Sequence, residues 1–198
     1  MGKVVIISGL PGVGKSTVVA RAIDNIRRKG FKITMVNYGT KMMEIASSKG
    51  WVNHRDQMRR LSLDKQLSLQ REAAMRIRQM AEKYDVVIID THMFINTKEG
   101  RWPGFSRNNL DLVKPDLIVL IEASPQEILA RRSRDESRIR ELYPEKKIME
   151  DLSYNRSIAA TISVLTGMPV ANILNKEGKA DEAAKELEDI LIEVINRK

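Results

Sequence analysis

An apolar run at positions 3–8 leads directly into Gly9, Gly12, Gly14, Lys15, Ser16 and Thr17, spaced as G-x-x-x-x-G-K-[ST]. That spacing makes a loop that cradles phosphate. The glycines let the backbone curl until several N–H groups face one point, a concavity that suits an anion. Lys15 adds a full positive charge at the outer phosphates, and the Ser16 hydroxyl is placed to ligate Mg²⁺. The helix that follows turns its N-terminal partial charge toward the same place. Gly9, Gly12, Val13, Gly14, Lys15, Ser16 and Thr17 are therefore expected to form a nucleotide phosphate site.

The rest of the chain has to decide the reaction. Asp90 closes an apolar strand, as expected of a carboxylate that holds Mg²⁺ through water opposite Ser16. GTP switching meets two obstacles. The residues after Asp90 lack the glycine of D-x-x-G, and Asn175-Lys176-Glu177-Gly178 has glycine where a guanine-reading N-K-x-D needs a carboxylate. Arginines point instead to a kinase, since phosphoryl transfer needs positioned positive charge more than covalent help. Arg55 and Arg59 open a helix after the second strand, and Arg131, Arg132, Arg134, Arg138 and Arg140 crowd one polar segment. That segment, 132–144, has almost no apolar residues and suits a lid that orders on phosphate.

Strand and helix patterns alternate to position these groups. Strands are read at 4–8, 32–36, 85–90, 116–122 and 168–175. Residues 15–29 form a helix with Val18, Val19, Ala22, Ile23 and Ile26 on one face. Residues 37–40 read as a turn and 41–48 as a helix. Residues 55–84 read as helical with a break near Ser62, and Leu63, Leu67, Ala74, Ile77, Ala81 and Tyr84 are expected on its buried face. Residues 91–109 contain glycines and Pro103 and little periodicity, and read as one long functional loop. Ser124 and Pro125 start another helix as its cap and first residue. Residues 145–166 are helical, and a terminal helix turns Ala180, Ala183, Ala184, Leu187, Leu191 and Val194 inward. Five strands alternating with helices imply an α/β, doubly wound, five-stranded parallel sheet of the P-loop NTPase type, in a single domain, 1–198. Ligands of such sheets bind at the carboxyl ends of the strands.

Composition narrows the field. The 198 residues are 42% apolar and 30% charged, with a net charge of +8. There are no cysteines, which excludes disulfides, thiolate catalysis and a cysteine-built zinc site. No window is long and apolar enough for a membrane span, and the first residues lack the series of a signal peptide, so a cytoplasmic location is expected. The basic clusters carry no interleaved aromatic residues for base stacking, which disfavours nucleic acid as a partner. Arg27, Arg28 and Lys29 are accounted for by a helix C-terminus ahead of Gly30.

Taken in order along the chain, these motifs resemble the archaeal adenylate kinases, a short-lid branch of the P-loop nucleoside monophosphate kinases. The resemblance rests on Gly9–Ser16, on Asn37, Tyr38, Gly39 and Thr40, and on Arg55, Asp56, Gln57, Met58 and Arg59. It continues through Ile89, Asp90, Thr91 and His92, the stretch from Asp135 to Arg140, Asn155 with Arg156, and Asn175 with Lys176. Residues 95–104 keep an I-x-T-x-x-G-x-x-P-G frame, with Met93, Phe94 and Trp102 bulkier than the family pattern. The resemblance implies ATP + AMP ⇌ 2 ADP, dependence on Mg²⁺, and a homotrimer. It implies a monophosphate-binding flap at about 38–70 with Gly39, Thr40 and Arg59 on AMP. It also implies catalytic roles for Lys15, Arg138 and Arg140, and the ATP base beside the backbone of Asn175 and Lys176. His54 is expected at the surface, while His92 either contacts the acceptor or caps its loop. Two other readings stay open: a P-loop kinase for CMP, UMP or a small metabolite, and an ATP-dependent protein associated with nucleic acid.

Overall fold

Three β-branched runs are buried on both faces, and they set the architecture. Val4 to Ile7, Val86 to Ile89 and Ile118 to Ile121 are each at most 1% exposed, as strands inside a covered parallel sheet should be. The computed structural model describes residues 1–97, 100–134 and 144–197, with backbone alone at position 59. The chain runs β1 (Lys3–Ser8), α1 (Lys15–Arg28), β2 (Ile33–Asn37), α2 (Tyr38–Ser48), a 3₁₀ helix (Arg55–Arg60), α3 (Leu63–Met80) and β3 (Val86–Asp90). It continues through β4 (Phe94–Thr97), β5 (Gly100–Pro103), α4 (Arg107–Val113), β6 (Leu117–Glu122), α5 (Pro125–Arg134), α6 (Glu145–Thr166), β7 (Val170–Leu174) and α7 (Ala180–Asn196).

The main sheet is five-stranded and parallel, in the order β2-β3-β1-β6-β7. Its register aligns the carboxyl ends. Ile7 pairs with Asp90, Asn37 with Asp90, and Ser8 with Leu120. The loop after β1, the last residue of β3 and the last residue of β2 therefore lie side by side. Helix α1 buries Val18, Val19, Ala22, Ile23 and Ile26 and packs against α7, whose buried face includes Ala183, Ala184, Leu187, Leu191 and Val194. Ser124 and Glu127 start α5 reciprocally: Ser124 Oγ accepts from the Glu127 N–H, and Glu127 Oε2 accepts from the Ser124 N–H at 2.9 Å, a capping box.

Three expectations are corrected. Residues 91–109 are not one loop: β4 and β5 pair as an antiparallel hairpin and α4 follows. Arg101 of the hairpin stacks over Tyr154 and pairs with Asp151 at 2.6 Å, fastening it to α6. Residues 37–40 are not a turn, because α2 already begins at Tyr38 with Asn37 as its cap. Leu63 and Leu67 are exposed; Ala74, Ile77 and Ala81 are buried as expected, and Leu69 and Ala73 of α3 join them. No helix among the described residues is long and apolar enough to cross a membrane.

Candidate active site at the carboxyl edge of the sheet

The loop between β1 and α1 needs glycine in three places. Gly12 and Gly14 have φ of 97° and 82°, the left-handed region that side chains resist. Gly9 lies so close to the Ile121 carbonyl of β6 that a Cβ would collide with it. No side chain caps α1; the Thr17 N–H donates to the Gly14 carbonyl at 3.1 Å, and the N–H groups ahead of it are the ones a helix start leaves for an outside acceptor. Ser16 and Thr17, in that first turn, are exposed.

Lys15 reaches across the strand ends. Its Nζ forms an ion pair with Asp90 Oδ1 and donates to the Thr91 carbonyl at 3.3 Å. The other carboxylate oxygen of Asp90 accepts from Asn37 Nδ2 at 2.8 Å. Asn37 Oδ1 in turn accepts from the Thr40 N–H at 3.0 Å and from Thr40 Oγ1 at 3.1 Å. Gly39, in the first turn of α2, is approached so closely by the Arg55 guanidinium that a Cβ there would collide. The Thr91 N–H donates to the Ile7 carbonyl, and the Met93 N–H donates to the buried Ser8 hydroxyl. These two bonds anchor the segment that carries His92.

His92 keeps solvent exposure at the rim but is crowded by the loop mouth. Burial first, then the positive charge of Lys15, hold its imidazole below the ordinary 6.5; Asp90 opposes the shift and Arg55 adds to it. A neutral imidazole at pH 7 suits contact with a ligand without adding charge.

On the far side, Asn175 follows β7 and is 3% exposed. Its Nδ2 donates to the Val13 carbonyl at 2.7 Å. Arg131 of α5 donates to the same carbonyl at 3.1 Å and to the Asn175 carbonyl at 3.0 Å. Glu177 holds Arg131 and Arg134 through ion pairs of 2.9 and 3.0 Å, and their hydrogen bonds depress its pKa. Lys176 is exposed on the same loop. At the end of β6, the buried Glu122 takes a forked pair of bonds from Arg156 of α6, at 2.7 to 3.0 Å.

The structure thus brings together Gly9, Gly12, Val13, Gly14, Lys15, Ser16, Thr17, Asp90, His92, Gly39, Thr40 and Asn175 at one edge of the sheet. Arg59 stands in the 3₁₀ helix, of whose side chain nothing is described. Arg138 and Arg140, and nearly all of the expected lid, lie outside the described residues. Sequence reasoning chose Arg59 over Arg55, passed over the side chain of Asn37, and missed Glu122. Asn37 and Arg55 did carry a signal, since both stand in the motifs that the sequence shows.

Residues 8–149 match a family described as an AAA domain, which covers more than half of the chain. Over 189 residues the chain is 42% identical to an adenylate kinase of Methanocaldococcus jannaschii, spanning 96% of this chain and 98% of that one. An adenylate kinase of Methanopyrus kandleri is 42% identical over 94% of this chain and 96% of its own. The chain belongs to the adenylate kinases. A third member of the family, from Methanococcus aeolicus, is 39% identical over 96% of this chain and 97% of its own. Among solved structures, that of APE1195 superposes with a TM-score of 0.54 and 17% identity over 98% of this chain and 97% of that one. That likeness speaks for the fold alone. For an adenylate kinase the facing positions of Lys15 and Asp90 are the feature to explain, and they follow from the β1–β3 register.

Proposed function

We propose that the chain transfers the terminal phosphoryl group of ATP to AMP, reversibly, giving two ADP, with Mg²⁺ as cofactor. The observation that carries the reading is the 42% identity to an adenylate kinase over nearly the whole of both chains. The geometry supports it: a phosphate loop, a lysine and a carboxylate meet where a parallel sheet of this kind binds ligands.

The donor set fits Mg²⁺. One hydroxyl, Ser16, and one carboxylate, Asp90, would hold it, and no group of three His, Cys, Asp or Glu side chains forms a cage among the described residues. Mg²⁺ favours such sparse sites, completed by phosphate oxygens and water. When bound it neutralises charge on the phosphate oxygens. Lys15 must exchange partners for this to happen. Lys15 pairs with Asp90; it would turn to the phosphates of a bound nucleotide, and Ser16 and Asp90 would then hold the cation.

The attacking group is a phosphate oxygen, already anionic, so no general base is required. Gly39, Thr40, Arg59 and His92 serve the AMP side, joined by Arg55. Arg138 and Arg140 act as catalytic arginines of a lid segment at about 132–144, and residues at about 38–70 form the monophosphate-binding flap. The backbone of Asn175 and Lys176 borders the ATP base. Closure over both nucleotides excludes water and suppresses hydrolysis. A homotrimer and a cytoplasmic location complete the reading. ADP formed from ATP, AMP and Mg²⁺ tests the reaction, and Lys15→Ala should stay folded and lose roughly 10³-fold in turnover. An active Lys15→Ala protein would remove Lys15 from the site.

A further inference from the structure

The peptide between Val13 and Gly14 is gripped from outside the phosphate loop. The Val13 carbonyl accepts from Asn175 Nδ2 at 2.7 Å and from Arg131 Nη1 at 3.1 Å. Arg131 Nη2 also donates to the Asn175 carbonyl at 3.0 Å, so the two donors support each other. The fit is close: a Cβ on Gly14 would collide with Asn175 Nδ2. A trans peptide points its C=O and its N–H in opposite directions, and no cis bond occurs among the described residues. Holding the Val13 carbonyl against Asn175 therefore turns the Gly14 N–H away from the loop after β7. Gly14 is the residue from which α1 starts without a side-chain cap, so that N–H leads a row of donors open to an anion.

Asn175 accepts a penalty in this position. Its Oδ1 is buried with no hydrogen-bond partner among the described residues. A side chain of the same shape with no polar atoms would escape that cost, which is the larger part of what a buried polar group stands to lose. The benefit of an asparagine here lies in the bond its Nδ2 makes.

We propose that Asn175 is a positioning residue for the phosphate cradle, presetting the Gly14 N–H for a polyphosphate, with Arg131 as the second brace. The proposal rests on reading residues 9–17 as the ATP phosphate site. It gives the Asn175 side chain a task distinct from any contact its backbone makes with a base.

A ligand with phosphates and no base separates the two tasks. Binding of tripolyphosphate and of ATP, without Mg²⁺, is measured by calorimetry on the wild type, Asn175→Leu, Asn175→Ala, and Asn172→Leu, an exposed control on β7. Asn175→Leu is near-isosteric and removes the unpaired oxygen, so its melting temperature should not fall. Either Asn175 variant should weaken tripolyphosphate and ATP by the same factor, about fivefold to tenfold for one lost hydrogen bond, with the control unchanged. Weaker ATP with unaltered tripolyphosphate would place Asn175 on the base and overturn the proposal, as would unaltered binding of both. A wild-type chain that bound neither ligand would instead remove the ATP reading itself.

Discussion

Asn37 and Asp90 face each other at the carboxyl ends of neighbouring parallel strands, and Asn37 Nδ2 donates to Asp90 Oδ2 at 2.8 Å. The same amide caps α2 through its oxygen. One side chain thus links the carboxylate opposite Lys15 to the first turn of the helix that carries Gly39 and Thr40.

Asn37→Ala should cost about 1 kcal/mol of stability for the lost cap and also lower turnover. Asn37→Ser separates the two effects, since serine caps a helix well but is too short to reach Asp90. Its stability should recover while its turnover stays reduced, about fivefold for one lost hydrogen bond. Thermal melts and ADP formation on both variants check this. Full turnover in Asn37→Ser would show that the bond to Asp90 is idle.

The strands and helices with an unambiguous period were legible without coordinates. Val18 to Ile26 and Ala183 to Val194 repeat at helical spacing, and both faces are buried as read. The 91–109 segment was opaque because its strands are four residues each and mostly exposed. Neither alternation nor a long apolar run could mark them, and Pro103 argued against a strand although an edge strand tolerates it. Leu63 and Leu67 sit at helical spacing with the buried residues, but they fall on the first turns of α3, where nothing packs over them closely enough to bury them. The site was legible at the level of motifs. Its connections were not, because Arg131 to Val13 and Asn175 to Val13 join residues 118 and 162 apart in sequence.

Glu122 and Arg156 give a stability prediction. Arg156→Met would leave a carboxylate that is 5% exposed without its forked partner, at a cost of about 3 kcal/mol. Adding Glu122→Gln should recover most of that loss. Urea unfolding of the single and double variants measures it, and a single variant within 1 kcal/mol or so of wild type would mean that water takes over the role of the guanidinium.

His92 ties stability to pH. Its folded pKa lies below the ordinary 6.5, so between those two values the unfolded chain binds more protons than the folded one. Stability contributed by the neutral ring is then present above pH 6.5 and is lost as pH falls through that window. Melting curves of wild type and His92→Gln should run together at pH 8, and wild type should fall behind the variant by pH 5.5. Parallel curves across the range would show that the imidazole is not perturbed.

The most direct test is the choice of acceptor. Protein, ATP and Mg²⁺ are incubated with AMP, CMP, UMP or GMP in turn, and the nucleotides are separated by chromatography. AMP should be consumed much faster than the others, with two ADP appearing for each AMP and ATP lost. A pyrimidine monophosphate consumed faster than AMP, or ATP lost without AMP, would contradict the account.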